Sequence, residues 1–312
     1  MTAPSGGLES GVLVRDLIPQ NIYDYSEKEE FNNVNKANDS VKVGPRIEII
    51  NISKSFSVHG GSRVQAIQDI NLKIAPGEFV SLVGPSGCGK STLLNIIAGL
   101  DKPDSGEVRS YQISGETGAK PQKGNRLLIF QEAALFPWLT VFQNVAYGLK
   151  LRKLSKGDYE NKVNNYLTLV KLEQFKDSFI HQLSGGMKQR VALARALVME
   201  PEILLMDEPF AALDIKTRKD MYYLLLDLWQ KTGKTILFIT HNVDEALLLS
   251  NRVVVMNSHP GRIKNEYQLD ISYPRHLENA NLKRIKQEIS KEFGDNPEMG
   301  IDQGGSVSVK VF

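Results

Sequence analysis

Cysteine is almost absent from the sequence. Cys88 is the only one among 312 residues, so no internal disulfide can form and a reducing compartment is expected. Long apolar runs are missing too. The most hydrophobic segments, such as residues 221–229, are short, and Asp227 interrupts that one. A membrane-spanning helix needs about 20 apolar residues, so the chain is not expected to cross a membrane. No stretch near the start joins basic residues, an apolar centre and a small-residue cleavage site, and no export signal is expected. Charge bias is also lacking: 38 Lys and Arg stand against 36 Asp and Glu, a net charge of +2. That balance argues against a general polyanion binder, and no nucleic-acid partner is expected.

Hydrophobic residues make up 41% of the chain and charged residues 24%, enough for a sizeable core in one large domain or two modest ones. Residues 1–44 stand apart, rich in Asn, Ser, Gly, Lys and Glu around one short apolar patch at 12–18. They read either as a flexible tail or as a segment that orders on a partner. Residues 296–312 read as a frayed end.

Between these ends the pattern is that of an α/β core. Runs 47–52 and 70–74 read as strands, the second ending in the turn signal Ala75-Pro76-Gly77-Glu78. Residues 79–83 form an apolar strand that runs into a glycine-rich loop, and 91–100 read as a helix. Residues 141–180 are mostly helical, with Val163, Leu167, Val170 and Leu172 at helical spacing. Helix 188–199, strand 203–206, helix 216–230 and strand 235–240 follow, with no internal repeat.

The glycine-rich loop is Gly84-Pro85-Ser86-Gly87-Cys88-Gly89-Lys90-Ser91, a match to the phosphate-loop pattern. Its glycines let backbone N–H groups curl toward phosphate oxygens. Lys90 suits the β- and γ-phosphates of a nucleotide such as ATP, the Ser91 hydroxyl suits Mg²⁺, and the helix that follows offers its positive end. The run Ile203-Leu204-Leu205-Met206 ends in Asp207-Glu208, at the carboxyl end of a buried strand, where open α/β sheets bind ligands. Asp207 suits a hold on Mg²⁺ and Glu208 suits polarising an attacking water. Alone, the pair would more often be a solvated acidic turn; the phosphate loop upstream reverses that balance.

A second anion cradle is Leu183-Ser184-Gly185-Gly186-Met187-Lys188-Gln189-Arg190, a Ser-Gly-Gly turn that opens a helix. This run resembles the signature of ABC ATPases. The resemblance covers residues 46–265 and implies a P-loop NTPase core of ABC type, α/β, with an antiparallel β subdomain and an inserted helical subdomain at about 135–195. The implied layout is a tail at 1–44, the ATPase at 45–270, and a C-terminal helix and tail at 271–312.

By the same resemblance, Thr92 joins the phosphate-loop contacts and Gln131 looks like the glutamine that meets Mg²⁺ or the attacking water. Phe56 resembles the aromatic that stacks on adenine, although an aromatic in a strand is usually core. Asp214, in Ala211-Ala212-Leu213-Asp214, resembles the loop residue at the dimer interface. His241 resembles the histidine that contacts the γ-phosphate. Cys88 is read as a small tolerated residue, and its place beside the phosphates predicts that a thiol reagent would block ATP binding by bulk.

The run Ala134-Leu135-Phe136-Pro137-Trp138-Leu139-Thr140-Val141, with Met187 and Pro260-Gly261-Arg262-Ile263, resembles importers of nitrate, sulfonates, taurine and bicarbonate. Residues 271–276 match that branch only in part. The resemblance implies a second ATPase subunit, either the same chain or a close relative. It also implies transmembrane permease subunits, an indirect substrate-binding protein, and a peripheral place on the cytoplasmic face of the membrane. The alternatives are an exporter ATPase or an ABC ATPase of DNA repair or translation. Only about fifty residues separate Gln131 from the signature, without extended heptads, which disfavours the repair type.

Overall fold

Alternation of apolar and polar residues builds the first sheet. Strands β1 (Pro45–Ser57) and β2 (Arg63–Ile74) pair antiparallel, with Ile47 opposite Ile74 and Ile49 opposite Leu72, all turned inward. The computed structural model describes residues 45–57, 62–112, 120–121 and 126–293. The expectations for residues 1–44 and 296–312 lie outside them.

Strand β3 (Phe79–Val83) is buried at every position. It is followed by helix α1 (Lys90–Ala98), which Gly99 ends in the left-handed conformation at φ 78°. Strands β4 (Ser105–Gln112) and β5 (Lys120–Pro121) complete a 4-stranded antiparallel sheet in the order β2-β1-β4-β5. Strand β6 (Arg126–Ile129) then leads into the helical region.

Helix α2 (Val141–Leu151) is started by a reciprocal cap between Thr140 and Gln143, and α3 (Lys156–Leu169) by Ser155. Helix α4 (Gly185–Leu197) packs with both. Val163, Leu167, Val170 and Leu172 lie in the core these helices share, as their spacing predicts. Buried Asn144 accepts the Phe136 N–H at 2.9 Å and donates to the carbonyls of Phe136 and Thr140, which fixes the loop before α2.

Strand β7 (Ile203–Asp207), helix α5 (Ile215–Thr232), strand β8 (Thr235–Thr240), helix α6 (Val243–Leu249), strands β9 (Arg252–Asn257) and β10 (Arg262–Gln268), and helix α7 (Ala280–Phe293) follow. The second sheet is 6-stranded, in the order β10-β9-β3-β8-β7-β6. It is parallel except for β10. Its central strands read as continuous apolar runs because helices cover both faces. Helix α1 fills the space between the two sheets, while α4 and α5 cover the opposite face around Phe79, Phe238 and Trp229. The Trp229 indole donates to the Gly77 carbonyl at 3.1 Å and meets Phe79 edge-on. Helix α7 seats Leu282, Ile285 and Ile289 against α6 and β9.

Two clamps join the sheets. Arg252 of β9 donates to Glu78 at 2.8 and 3.0 Å, and to the Lys73 carbonyl of β2 at 2.6 Å. Gly261 donates its N–H to Ala66 at 3.0 Å and accepts the Gln68 N–H at 2.9 Å. A Cβ on Gly261 would lie 2.0 Å from the Cys88 carbonyl, inside the phosphate loop. Backbone stands on both sides of that contact, so Gly261→Ala is expected to destabilise the fold by about 1–3 kcal/mol. Denaturant unfolding checks this; an unchanged midpoint would contradict it.

Candidate nucleotide site

Parallel register brings the chemistry-bearing residues to one edge. Val83 pairs with Thr240, Asp207 with Ile239, and Ile129 with Met206. The phosphate loop after β3, His241 after β8, Asp207-Glu208 ending β7 and Gln131 after β6 therefore all leave at the carboxyl end of the sheet. Ligands gather there because the strands end and helix N-termini begin.

In the phosphate loop, Gly87 and Gly89 have φ of 73° and 94°, and a Cβ on Gly89 would lie 2.3 Å from Ile67. Lys90 is only 6% exposed, and its ammonium donates to the carbonyls of Gly84 at 2.8 Å and Pro85 at 3.0 Å. The charge is thus held inside the ring of the loop. Ser91 donates its hydroxyl to Asp207 Oδ1 at 3.2 Å, while Ser86, Gly87 and Ser91 are exposed and Thr92 is half-buried.

Glu208 has φ 43°, a left-handed conformation that costs a non-glycine residue about 1–2 kcal/mol. Its N–H donates to the Ile239 carbonyl at 3.0 Å, which helps hold it there. Nδ1 of His241 donates to Glu208 Oε2 at 3.1 Å. An ionised carboxylate only accepts, so this bond leaves Nε2 as the free ring nitrogen.

Ser184 caps α4 by accepting the Met187 N–H at 3.3 Å. The helix starts at Gly185, earlier than the expected Lys188, because a side-chain cap outweighs the poor helix propensity of two glycines in the first turn. Gly185 is open to solvent, whereas a Cβ on Gly186 would lie 2.1 Å from the Thr217 methyl. Asp214 accepts the Thr217 N–H at 3.0 Å, so signature turn and Asp214 loop meet at Thr217. No hydrogen bond among the described residues joins Ser184, Gly185 or Gly186 to the phosphate loop. Gln131 is exposed. Phe56 lies on β1, 43% exposed, with the Lys54 ammonium 5.3 Å from its ring centre; it is not a core aromatic.

The ABC transporter family model matches residues 67–211. The chain is 48% identical over 225 residues to a taurine import ATP-binding protein of Roseobacter denitrificans, spanning 72% of this chain and 82% of that one. It belongs to the ABC transporter family of ATP-binding proteins. An aliphatic sulfonates import ATP-binding protein of Bacillus thuringiensis is 43% identical over 247 residues, 79% of this chain and 95% of the relative. A solved ATP-binding cassette, dimeric and bound to ADP and Pi after hydrolysis, is 34% identical with TM-score 0.62, covering 72% of this chain and 99% of that one. The chain is thus an ABC-type ATPase.

Two supports of the ATPase edge were not legible as motifs. Arg195 of α4 donates to the carbonyls of Ala133 at 3.0 Å and Ala134 at 2.9 Å, fixing the loop after Gln131 to the signature helix. A lone cation in the apolar run 191–197 was its signal. Glu245, bonded to Thr240 and Tyr222, is the other. Cys88 requires a correction. Its side chain is fully buried in the core with Leu82, Leu93 and Met256, turned toward Gly84 and away from solvent. Burial pushes its thiol pKa up, despite the nearby Lys90. A thiol reagent is therefore expected to modify Cys88 only slowly in the folded ATPase and quickly in denaturant; fast, stoichiometric native labelling would contradict this.

Charge at the edge is set by pairing and burial. Burial pushes Asp207 up against the Ser91 hydrogen bond. The His241 hydrogen bond holds Glu208 below the ordinary 4.5, and the same bond lifts His241 above 6.5. These are two views of one interaction. The Glu208 share is present above pH 4.5 and lost as pH falls through its lowered value; the His241 share is complete below pH 6.5 and lost as pH rises through its raised value. The pair thus stabilises most between those limits. Glu208→Gln is expected to move the His241 titration, followed by NMR, back down toward its ordinary value; an unmoved titration would contradict the pairing.

Proposed function

We propose that this ATPase is the motor of an importer for a small anion, with a sulfonate such as taurine ahead of nitrate and bicarbonate. Relatives named for import of taurine and of aliphatic sulfonates support import and the choice of anion. The observation that carries the mechanism is the pair of bonds Ser91–Asp207 and Glu208–His241, at 3.2 and 3.1 Å on one sheet edge beyond the phosphate loop.

Two copies, or this chain and a close relative, pair head-to-tail. Each closes its Ser184-Gly185-Gly186 turn, with Asp214 nearby, on the ATP held by the other's phosphate loop. A related cassette solved as a dimer supports this pairing. Phe56 stacks on adenine. The backbone N–H groups of residues 84–92, Pro85 excepted, and Lys90 hold the phosphates and offset charge that develops during transfer. The Glu208 carboxylate, ionised and aimed by His241, accepts from the attacking water, and the free Nε2 of His241 meets the γ-phosphate.

The oxygen donors fit Mg²⁺, which takes one or two carboxylates and completes its shell with phosphate and water. No group of three or more His, Cys, Asp or Glu that could hold a metal occurs among the described residues. Ser91, Asp207 and Gln131 would hold the ion, which would supply positive charge to offset that of the phosphates.

The helices α2 to α4 carry the work outward to a transmembrane permease fed by a substrate-binding protein. Phe136, Trp138 and Tyr147 cluster on that layer, with Trp138 and Tyr147 exposed, which suits a protein partner. No described helix is long and apolar enough to cross a membrane. In this reading the ATPase works peripherally, beside the permease on the cytoplasmic face. Glu208→Gln is expected to cut turnover about 100-fold or more and to leave an ATP-bound dimer on gel filtration. Ordinary turnover in that variant would sink the assignment.

A further inference from the structure

Glu245 is a buried carboxyl that none of these steps uses. It lies in the first turn of α6, 4% exposed. Its Oε2 accepts from the Thr240 hydroxyl at 2.5 Å and its Oε1 from the Tyr222 hydroxyl at 2.8 Å. The Arg218 Nε stands 3.8 Å from Oε1, buried and without a hydrogen-bond acceptor of its own. An acidic group this deep is costly unless its partners hold it, so its surroundings need an explanation. Helix capping does not supply one: Asn242 already caps α6, accepting the N–H groups of Asp244 and Glu245. A favourable place near the helix dipole does not require burial against a tyrosine and a threonine either.

The partners of Glu245 point in two directions. Toward the nucleotide edge, the Thr240 hydroxyl donates to Glu245 and accepts the Asn242 N–H at 3.0 Å. The residues on both sides of His241 are therefore tied to one oxygen, and Glu245 fixes the direction of its hydrogen. Away from that edge, Tyr222 and Arg218 belong to α5, the helix capped by Asp214. Arg218 also donates to the Leu213 carbonyl at 2.8 Å, inside the loop 211–214.

We propose that Glu245 is a positioning residue for ATP hydrolysis, holding the turn 240–242, and with it His241, against the helix that follows the loop 211–214. It acts through Thr240 and His241, not on the reacting atoms. It couples two segments of the site that are far apart in sequence, so that a shift of the 211–214 loop is felt at His241. The inference rests on the contact of His241 with the γ-phosphate proposed above.

The test uses the full chain in ATP turnover, with Glu245→Ala, Glu245→Gln, Tyr222→Phe and His241→Ala, alone and combined. Glu245→Ala is expected to lower kcat about 10- to 100-fold while KM for ATP stays within about 2-fold, since orientation and not binding is lost. Glu245→Gln keeps an acceptor for Thr240 and should recover most of the loss. In the His241→Ala background, Glu245→Ala should cost nothing further. Independent, multiplying losses overturn the proposal, as does a Gln variant no better than Ala.

If His241→Ala alone leaves turnover intact, the role of His241 in hydrolysis fails, and the positioning claim is decided by NMR. The imidazole signals of His241 should then move in Glu245→Ala and in Tyr222→Phe but stay nearly in place in Glu245→Gln. Unmoved signals in the first two overturn it. Tyr222→Phe keeps the test available should Glu245→Ala fail to fold.

Discussion

Parallel pairing of buried strands is the constraint on which this structure depends. Once Val83 lies opposite Thr240 and Asp207 opposite Ile239, the phosphate loop, the acidic pair and His241 must emerge side by side. A one-residue slip would exchange the two faces of a strand and carry Glu208 away from His241. The register is strongly held because β3 and β8 are buried along their whole length. Burial of that much apolar surface, at about 25 cal/mol per Å², leaves little room for alternatives.

The polar edge is built at a cost that the core sustains. Glu208 occupies a conformation ordinary residues avoid, Asp207 is disfavoured by burial, and Lys90 spends its donors on loop carbonyls. In the proposed function each is a group held ready for a charged ligand. The clamps at Arg252 and Gly261 extend the same logic, because they anchor the antiparallel sheet, which carries Phe56, beside the phosphate loop. The notable property of Gly261 is thus steric: backbone from β2 and from the loop leaves no space for a side chain.

Much of this was legible in the sequence where function depends on consecutive residues. The phosphate loop, the acidic pair and the Ser-Gly-Gly turn each consist of neighbours in the chain, and short apolar runs mark the central strands. Element ends were less legible. The apolar pattern marks β2 only at 70–74, yet the strand begins at Arg63, because its first three residues are exposed and give no core-facing signal. What the sequence did not display is long-range: Gly186 against Thr217, Arg195 on the carbonyls of Ala133 and Ala134, and Glu245 between Thr240 and Tyr222. Cys88 was misjudged for a related reason. Its place in a nucleotide loop says nothing of which way its side chain turns, and Gly84 and Met256 make room for it inside.

In the proposed mechanism ATP is gripped at this one sheet edge and closed over by a second ATPase subunit, this chain or a close relative. The measurement that tests it most directly is the crystal structure of the unmutated chain with a non-hydrolysable ATP analogue and magnesium. Two nucleotides are expected at a dimer interface, each with its phosphates in the loop 84–91, its γ-phosphate within hydrogen-bond reach of His241, and Ser184 of the partner subunit across from it. A nucleotide bound away from that edge, or held by one chain with Ser184 facing solvent, would contradict it.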